Sequence, residues 1–174
     1  RRSTYRGGDM EIALTDLRIG FGTDIHRLEN NGRPLILGGI AFHNAEGLGP
    51  VSHSDGDAVV HALIDAILGA TCNGDIGRHF PDTDPSYGNA DSMDLLKQAT
   101  KIASRLHIIN IDVVVHCDRP KIAPKSEEMT LNLASCLGLS PSAISIKAKT
   151  LEGLKFTPDG TIVYVTVALL GYLV

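Results

Sequence analysis

The sequence predicts an α+β (α/β two-layer) fold, with one β-sheet covered by helices along one face. Segments with helical spacing of apolar residues alternate with β-branched runs, the interleaving that lays helices on a sheet. No internal repeat and no linker divides the 174 residues, a length suited to one domain. At 43% hydrophobic and 21% charged, the chain is globular in composition. A chain of this size buries about 70% of its unfolded surface and needs no staple.

The elements follow in order. Residues 1–17 are polar and without pattern and are read as a disordered tail, an expression remnant or the stump of a transit peptide, with Met10 as a candidate native start. The single domain is expected to run from 18 to 174. Residues 18–26 read as a strand, and residues 34–40 as a hairpin behind the Asn31-Gly32 turn signal. Residues 58–70 carry Val59, Leu63, Ala66, Ile67 and Ala70 at helical spacing, with Ser54, Asp55 and Asp57 as capping acceptors in front. Residues 73–89, rich in Gly, Pro and Asp, read as an ordered loop. A second helix is expected over 92–106, a strand over 109–116, and a third helix over 126–137 that stops at Gly138. Strands over 144–150 and 161–170 complete the sheet.

Sixteen Lys and Arg against twenty Asp and Glu give a net charge of −4, which argues against a nucleic-acid-binding protein with its basic face. Cys72, Cys117 and Cys136 are odd in number and scattered, which fits a reducing compartment rather than a disulfide framework. The most apolar stretch, residues 162–174, is too short to span a bilayer, so no membrane partner is expected.

One constellation carries chemistry. Residues two apart on a strand share a face, so Asp24 and His26 leave the backbone side by side. Asp57, His61 and Asp65 are spaced by four and stack along one helix face. Asp-x-His plus one helical His makes an N/N/O site with an open fourth position, the catalytic arrangement for zinc. Asp65, one turn beyond His61, is expected to accept from that imidazole and fix its tautomer. Each element also has an ordinary reading: His61 as a half-buried helix residue, Asp55 and Asp57 as caps, Asp82-Thr83-Asp84 between two prolines as a turn. Spacing alone leaves both readings open.

The motifs Arg18-Ile19-Gly20-x-Gly22-x-Asp24-x-His26, His53-Ser54-Asp55-Gly56-Asp57-x-x-x-His61, Gly74-Asp75-Ile76-Gly77 and Phe80-Pro81-Asp82-Thr83-Asp84-Pro85 occur in that order. Together they resemble the 2-C-methyl-D-erythritol 2,4-cyclodiphosphate synthase family of non-mevalonate isoprenoid biosynthesis. The likeness extends through Arg119-Pro120-Lys121 and Lys147-Ala148-Lys149-Thr150-x-Glu152 to Val167-Ala168-Leu169-Leu170, covering essentially everything from Arg18 onward.

The resemblance implies a mixed sheet assembled as a homotrimer with active sites at subunit interfaces. It implies a divalent metal, zinc, on Asp24, His26 and His61, and magnesium or manganese at the diphosphate on Glu152. His53 and Thr150 would stabilise the transition state, with Ser54 beside His53. Asp75, Ile76 and Gly77, with Phe80, Pro81, Asp82, Thr83 and Asp84, would line the methylerythritol phosphate pocket. Cys117, Asp118, Arg119, Pro120, Lys121, Ile122 and Ala123, with Lys149 and Leu151, would hold the cytidine diphosphate end. Phe156 would be a further substrate contact. The chain departs from the family where Lys149 replaces a common Thr, where Leu151 replaces a commonly polar residue, and where Asp159 follows Phe156 in place of an Arg. The setting implied is bacterial cytoplasm, or a plastid if residues 1–17 are a transit-peptide remnant.

The implied reaction is an intramolecular displacement in which the substrate's 2-phosphate attacks its own β-phosphate and CMP leaves. The nucleophile then belongs to the substrate, which accounts for a chain with no nucleophile elbow, P-loop or reactive-cysteine signature. Two other classes stand beside it: a metal-dependent phosphoesterase, and a zinc-stabilised nucleotide-binding trimer without catalysis.

Overall fold

The computed structural model describes residues 4–7, 10–44, 46–154 and 161–174. Its centre is a five-stranded mixed sheet in the order β6-β3-β9-β7-β8, formed by β3 (Leu17–Asn30), β6 (Leu48–Pro50), β7 (Leu106–Cys117), β8 (Ile144–Lys149) and β9 (Thr161–Leu173). β7 and β8 are parallel, and the other pairs are antiparallel. Before it, β1 (Thr4–Gly7) pairs with β2 (Met10–Ala13) in a separate ribbon, in a stretch where the sequence shows no pattern.

Helix α1 (Ala58–Ala70) lies across the sheet, and eleven of its residues are buried. A helix apolar almost all round belongs in an interior. α1 is covered on its far side by α3 (Ser92–Ile102), while α4 (Ser126–Leu137) packs beside β8. Its approach to the sheet is unusually close, because the strand beneath it offers glycines. A Cβ on Gly20 would lie 2.0 Å from the Ala66 carbonyl oxygen, and one on Gly22 would lie 1.9 Å from that of Ala62. Glycine in a strand interior marks such a backbone approach.

The start of α1 is fixed by Asp57. Its fully buried carboxylate accepts the Val59 and Val60 N–H groups at 3.1 and 3.0 Å, as an N-cap does. The same carboxylate accepts the N–H groups of Gly38 and Gly39 at 2.9 and 2.6 Å. Those glycines form the turn between β4 (Leu35–Leu37) and β5 (Ile40–Phe42), at φ of 59° and 74°. Left-handed conformation at both central residues is what a type I′ two-residue hairpin requires. One buried side chain thus joins the hairpin to the helix.

Most predicted elements are present. The exception lies between α3 and β7, where a helix was expected to Leu106. The helix stops at Ile102, and Leu106 is already paired with Leu173 in the sheet. Helical periodicity in a short apolar run gave way to strand pairing. Within 73–89, the chain forms the single turn α2 (Ile76–His79) and a 3-10 turn at Pro85–Tyr87.

Among the described residues, no helix packs on the sheet's other face. Paired residues share a face, so Ile25 with Tyr164, and Arg27 with Ile162, point away from α1, while Asp24 and His26 point toward it. The outward face exposes Ile19 at 78%, Phe21 at 64% and Ile25 at 54%.

Candidate active site

Asp24 and His26 on β3 and His61 on α1 meet at the edge of the helix layer. Asp24 Oδ2 stands 2.9 Å from His26 Nε2 and 3.2 Å from His61 Nδ1, and the two nitrogens are 3.3 Å apart. A tetrahedral zinc ion, with bonds of about 2.0–2.2 Å, holds its ligand atoms about 3.3 Å from one another. The triangle therefore matches one face of such a tetrahedron and fits a divalent metal.

The electrostatics agree. Burial pushes the Asp24 carboxyl up, but hydrogen bonds and charge from His26 and His61 outweigh it and hold the group well below the usual carboxylate range. Burial pushes the His61 imidazole down, and the Asp24 carboxylate more than compensates, so its pKa is raised.

A cavity of about 180 Å³ opens over the triangle. His53 and Ser54 line it from the loop before α1, Ile76 and Gly77 from α2, and Phe80 and Asp82 from the segment after it. The loop is tied down by Arg33, whose guanidinium donates to the carbonyls of Pro50, Ser52 and Ser54. Phe80 is buried edge-on against Tyr87, with ring centroids 5.6 Å apart.

The other residues expected at this pocket do not line it. Asp75 caps α2 by accepting the Arg78 N–H at 2.9 Å. Asp84 accepts from Ser86 N–H at the same distance, which lowers its pKa, and Pro81 and Thr83 sit in the turn between. Asp65 accepts no hydrogen bond from His61. Its carboxylate takes the Ile76 N–H at 2.7 Å, pinning the first residue of α2, and burial raises its pKa. One helical turn separates Asp65 from His61, but its side chain turns toward the neighbouring loop. Asp65→Ala is therefore expected to lose about 1–3 kcal/mol of stability with zinc stoichiometry unchanged. Urea unfolding and metal analysis of the same preparation check both halves, and loss of zinc from a stable variant would return Asp65 to the metal.

Sequence reasoning missed Ser92, whose hydroxyl lies 2.9 Å from His61 Nε2. Ser54 Oγ approaches the same nitrogen at 3.1 Å.

The residues expected at the nucleotide end lie elsewhere. Cys117 ends β7, its thiol pushed up to about 11 by burial, and Asp118 accepts the Leu151 N–H at 2.7 Å. Arg119 pairs with Glu46, Lys121 is exposed, Ile122 is buried, and Ala123 opens a 3-10 turn. Lys149 ends β8 exposed. Thr150, Leu151 and Glu152 line a second cavity of about 400 Å³ together with Ile25, Ile162 and Tyr164, so it opens on the outward face of the sheet. The Thr150 hydroxyl is hydrogen-bonded to the Glu152 carboxylate. Phe156 and Asp159 lie outside the described residues. Within one chain Thr150, Leu151 and Glu152 thus open onto the face of the sheet opposite the Asp24, His26 and His61 triangle.

Comparison with known proteins places the whole chain. The YgbB family model matches residues 17–171. The chain is 48% identical over 146 residues to the 2-C-methyl-D-erythritol 2,4-cyclodiphosphate synthase of Pelotomaculum thermopropionicum, covering 83% of this chain and 88% of that protein. It is 48% identical over 141 residues to the synthase of Bordetella avium, covering 80% and 85%. A solved structure of a 2C-methyl-D-erythritol-2,4-cyclodiphosphate synthase in a CDP-bound form superposes with TM-score 0.79 at 38% identity, over 88% of this chain and 99% of that one. The bifunctional IspDF of Campylobacter jejuni superposes with TM-score 0.80 at 40% identity over 91% of this chain, which spans 43% of that longer protein.

Proposed function

This chain belongs to the YgbB family, and from that premise we infer that it converts 4-diphosphocytidyl-2-C-methyl-D-erythritol 2-phosphate to 2-C-methyl-D-erythritol 2,4-cyclodiphosphate and CMP. It is a phosphorus–oxygen lyase of non-mevalonate isoprenoid biosynthesis. The synthase domain is taken as residues 18–174, a span that the family match supports. The observation that carries the site assignment is the donor triangle of Asp24, His26 and His61 on the floor of a pocket walled by His53, Ser54, Ile76 and Asp82.

Asp24, His26 and His61 would hold zinc. A metal there supplies Lewis-acid polarisation of a phosphate oxygen. Every other task falls to the chain. The substrate carries both nucleophile and electrophile, so the protein must fold it and hold its two phosphates in line. Orientation of this kind is worth about 7–11 kcal/mol when the geometry is right. Ile76, Gly77 and Phe80 enclose the methylerythritol carbon chain, and Asp82 takes its hydroxyls. His53 donates to a phosphate oxygen where negative charge gathers. Lys121 and Lys149 balance the diphosphate, and the Thr150 hydroxyl donates to the departing CMP phosphate. Glu152, a hard oxygen donor, would hold magnesium or manganese there.

The active assembly is a homotrimer with each site shared between subunits. The reaction needs Thr150 and Glu152 on the same substrate as the metal triangle, yet one chain places the two sets on opposite faces of its sheet. A cyclic arrangement brings one chain's metal pocket to its neighbour's outward face. The exposed Ile19, Phe21 and Ile25 would then be covered, as a patch of this kind requires. No helix among the described residues is long and apolar enough to cross a membrane. The bacterial relatives favour the bacterial cytoplasm over a plastid as the setting.

CMP release from the synthetic substrate, followed with and without a chelator, tests the reaction, and phosphorus NMR identifies the other product. The cyclic diphosphate is expected. A linear phosphate would identify a phosphoesterase, and binding of CMP without turnover would identify a binding protein.

The metal assignment has a pH signature. Because Asp24 raises the His61 pKa, the imidazolium persists to higher pH in the metal-free protein than in a free imidazole, and metal must displace its proton. Apparent zinc affinity is expected to rise with pH, by up to about tenfold per unit, until the ring is neutral and then to level off. Chelator competition across neutral pH measures it; a flat profile would remove His61 from the site.

A further inference from the structure

The two nitrogens of His61 have different neighbours. Nδ1 faces Asp24 and His26, while Nε2 faces the hydroxyls of Ser92 at 2.9 Å and Ser54 at 3.1 Å. A neutral imidazole carries one hydrogen, and the bond made by one nitrogen decides what the other can do. A serine hydroxyl donates or accepts equally well, so the first contact alone does not settle which nitrogen is protonated. The next contact does.

Ser92 is fully buried, and Asp55 grips it twice. The Ser92 N–H donates to Asp55 Oδ2 at 2.9 Å, and its hydroxyl donates to Asp55 Oδ1. A carboxylate has no hydrogen to offer, so the single hydroxyl hydrogen of Ser92 lies on the Asp55 side. The Ser92 oxygen is left with lone pairs toward His61. Asp55 is itself fixed, since its Oδ1 also accepts the Asp57 N–H at 3.1 Å and its own N–H reaches the Ala90 carbonyl at 3.2 Å. Ser54 exerts no such control. Its oxygen accepts the Gly56 N–H at 3.2 Å and lies 3.4 Å from the Ser52 hydroxyl, so its hydrogen can turn to suit either tautomer.

We infer that Ser92, oriented by Asp55, is a positioning residue that commits His61 to the tautomer with hydrogen on Nε2 and so aims the Nδ1 lone pair at the position shared with Asp24 and His26. This rests on the reading of those three residues as a metal centre. The opposite tautomer places a hydrogen on Nδ1, where it blocks ligation, and sets two lone pairs against each other between Nε2 and Ser92. The relay runs Asp55, Ser92, His61 and joins the loop before α1 to the start of α3, so two elements that supply no metal ligand of their own decide how a third presents one.

The test is nitrogen NMR of protein labelled at its histidine rings, with zinc affinity measured by chelator competition. In the zinc-loaded wild type, His61 should show Nδ1 as the ligand and Nε2 protonated. In the metal-free protein at alkaline pH the Asp24 carboxylate at Nδ1 draws the ring hydrogen the other way, and the wild type should hold a larger share of the Nε2–H tautomer than Ser92→Ala. Ser92→Ala should weaken zinc binding about 10- to 100-fold and shift the metal-free ring toward Nδ1–H. Ser92→Thr, which keeps the hydroxyl, should restore the wild-type share of Nε2–H and most of the affinity. Ligation through Nε2, or a Ser92→Ala protein with wild-type affinity and tautomer, overturns the inference. Should the variants not fold, the zinc-loaded wild-type spectrum decides alone: Nε2–H supports the inference and an unprotonated Nε2 overturns it. A wild type that takes up no zinc defeats the metal-centre reading, while the alkaline metal-free spectra of wild type and Ser92→Ala still decide the control of the tautomer.

Discussion

A His61→Ala chain is expected to fold, to retain no zinc under conditions that load the wild type, and to release CMP at least about a thousandfold more slowly. The magnitude follows from what the imidazole does. Asp24 and His26 alone leave two ligands, and polarisation of a phosphate by a metal is worth several kcal/mol, of which each 1.36 kcal/mol is about tenfold in rate. Folding should survive, because the other ten buried residues of α1 keep their places. Ser92 and Ser54 lose a partner, and an orphaned buried hydroxyl costs about 1–3 kcal/mol. Metal analysis, circular dichroism and CMP release on one preparation check the three claims. Normal turnover without zinc would sink the metal assignment, and unfolding would show that His61 also holds the helix in place.

Gly22→Ala should cost more stability than any exposed substitution, about 3 kcal/mol or more, although it adds a single carbon. The new Cβ would lie 1.9 Å from the Ala62 carbonyl oxygen and within 3.0 Å of two further backbone atoms of α1. Backbone atoms cannot swing aside as a side chain can, so helix and strand must part. Gly22 has no left-handed φ, so the cost is steric and not conformational. Separation also draws His61 away from Asp24 two residues along, and zinc affinity should fall with stability. Gly69 supplies the contrast. It lies in the same helix with nothing within 4 Å of an added Cβ, and Gly69→Ala should be neutral or stabilising by about 0.5–1 kcal/mol. Urea midpoints of the two variants against the wild type measure the difference. A Gly22→Ala protein as stable as the parent would show that the helix can shift freely over the strand.

What the sequence revealed of this molecule depended on how local each determinant is. α1 and α4 are bounded by residues that act on their own neighbours: Asp57 caps two N–H groups directly after it, and Gly138 at φ 66° ends the other helix. Their limits were therefore readable. Leu106 was not, because its apolar side chain continues the helical spacing while its backbone is claimed by Leu173 from the far end of the chain. The candidate metal ligands divide in the same way. Asp24 and His26 are placed together by the two-residue repeat of a strand, and His61 stands out as a polar residue in a buried helix. Ser92 looks like a second capping residue after Asp91. Asp91 already performs that task by accepting the Met93 N–H at 2.8 Å, and the redundancy was the one local sign that the serine is employed elsewhere. Its partner Asp55 is 37 positions away and comes near only through the fold.

The strict alternation along β3 has a consequence for how this protein can change. Asp24 and His26 face the helix layer, and Ile19, Phe21 and Ile25 occupy the intervening positions on the opposite side. Inserting or deleting one residue inside the strand would exchange the two sets together. Asp24 and His26 would be turned to the exterior and bulky apolar groups driven against Ala62 and Ala66. Length variation within this strand is therefore closed to evolution in steps of one, and drift must proceed by substitution at fixed spacing. The outward positions can change only among apolar residues that keep the proposed subunit contact, while the inward ones keep their glycines and their donors.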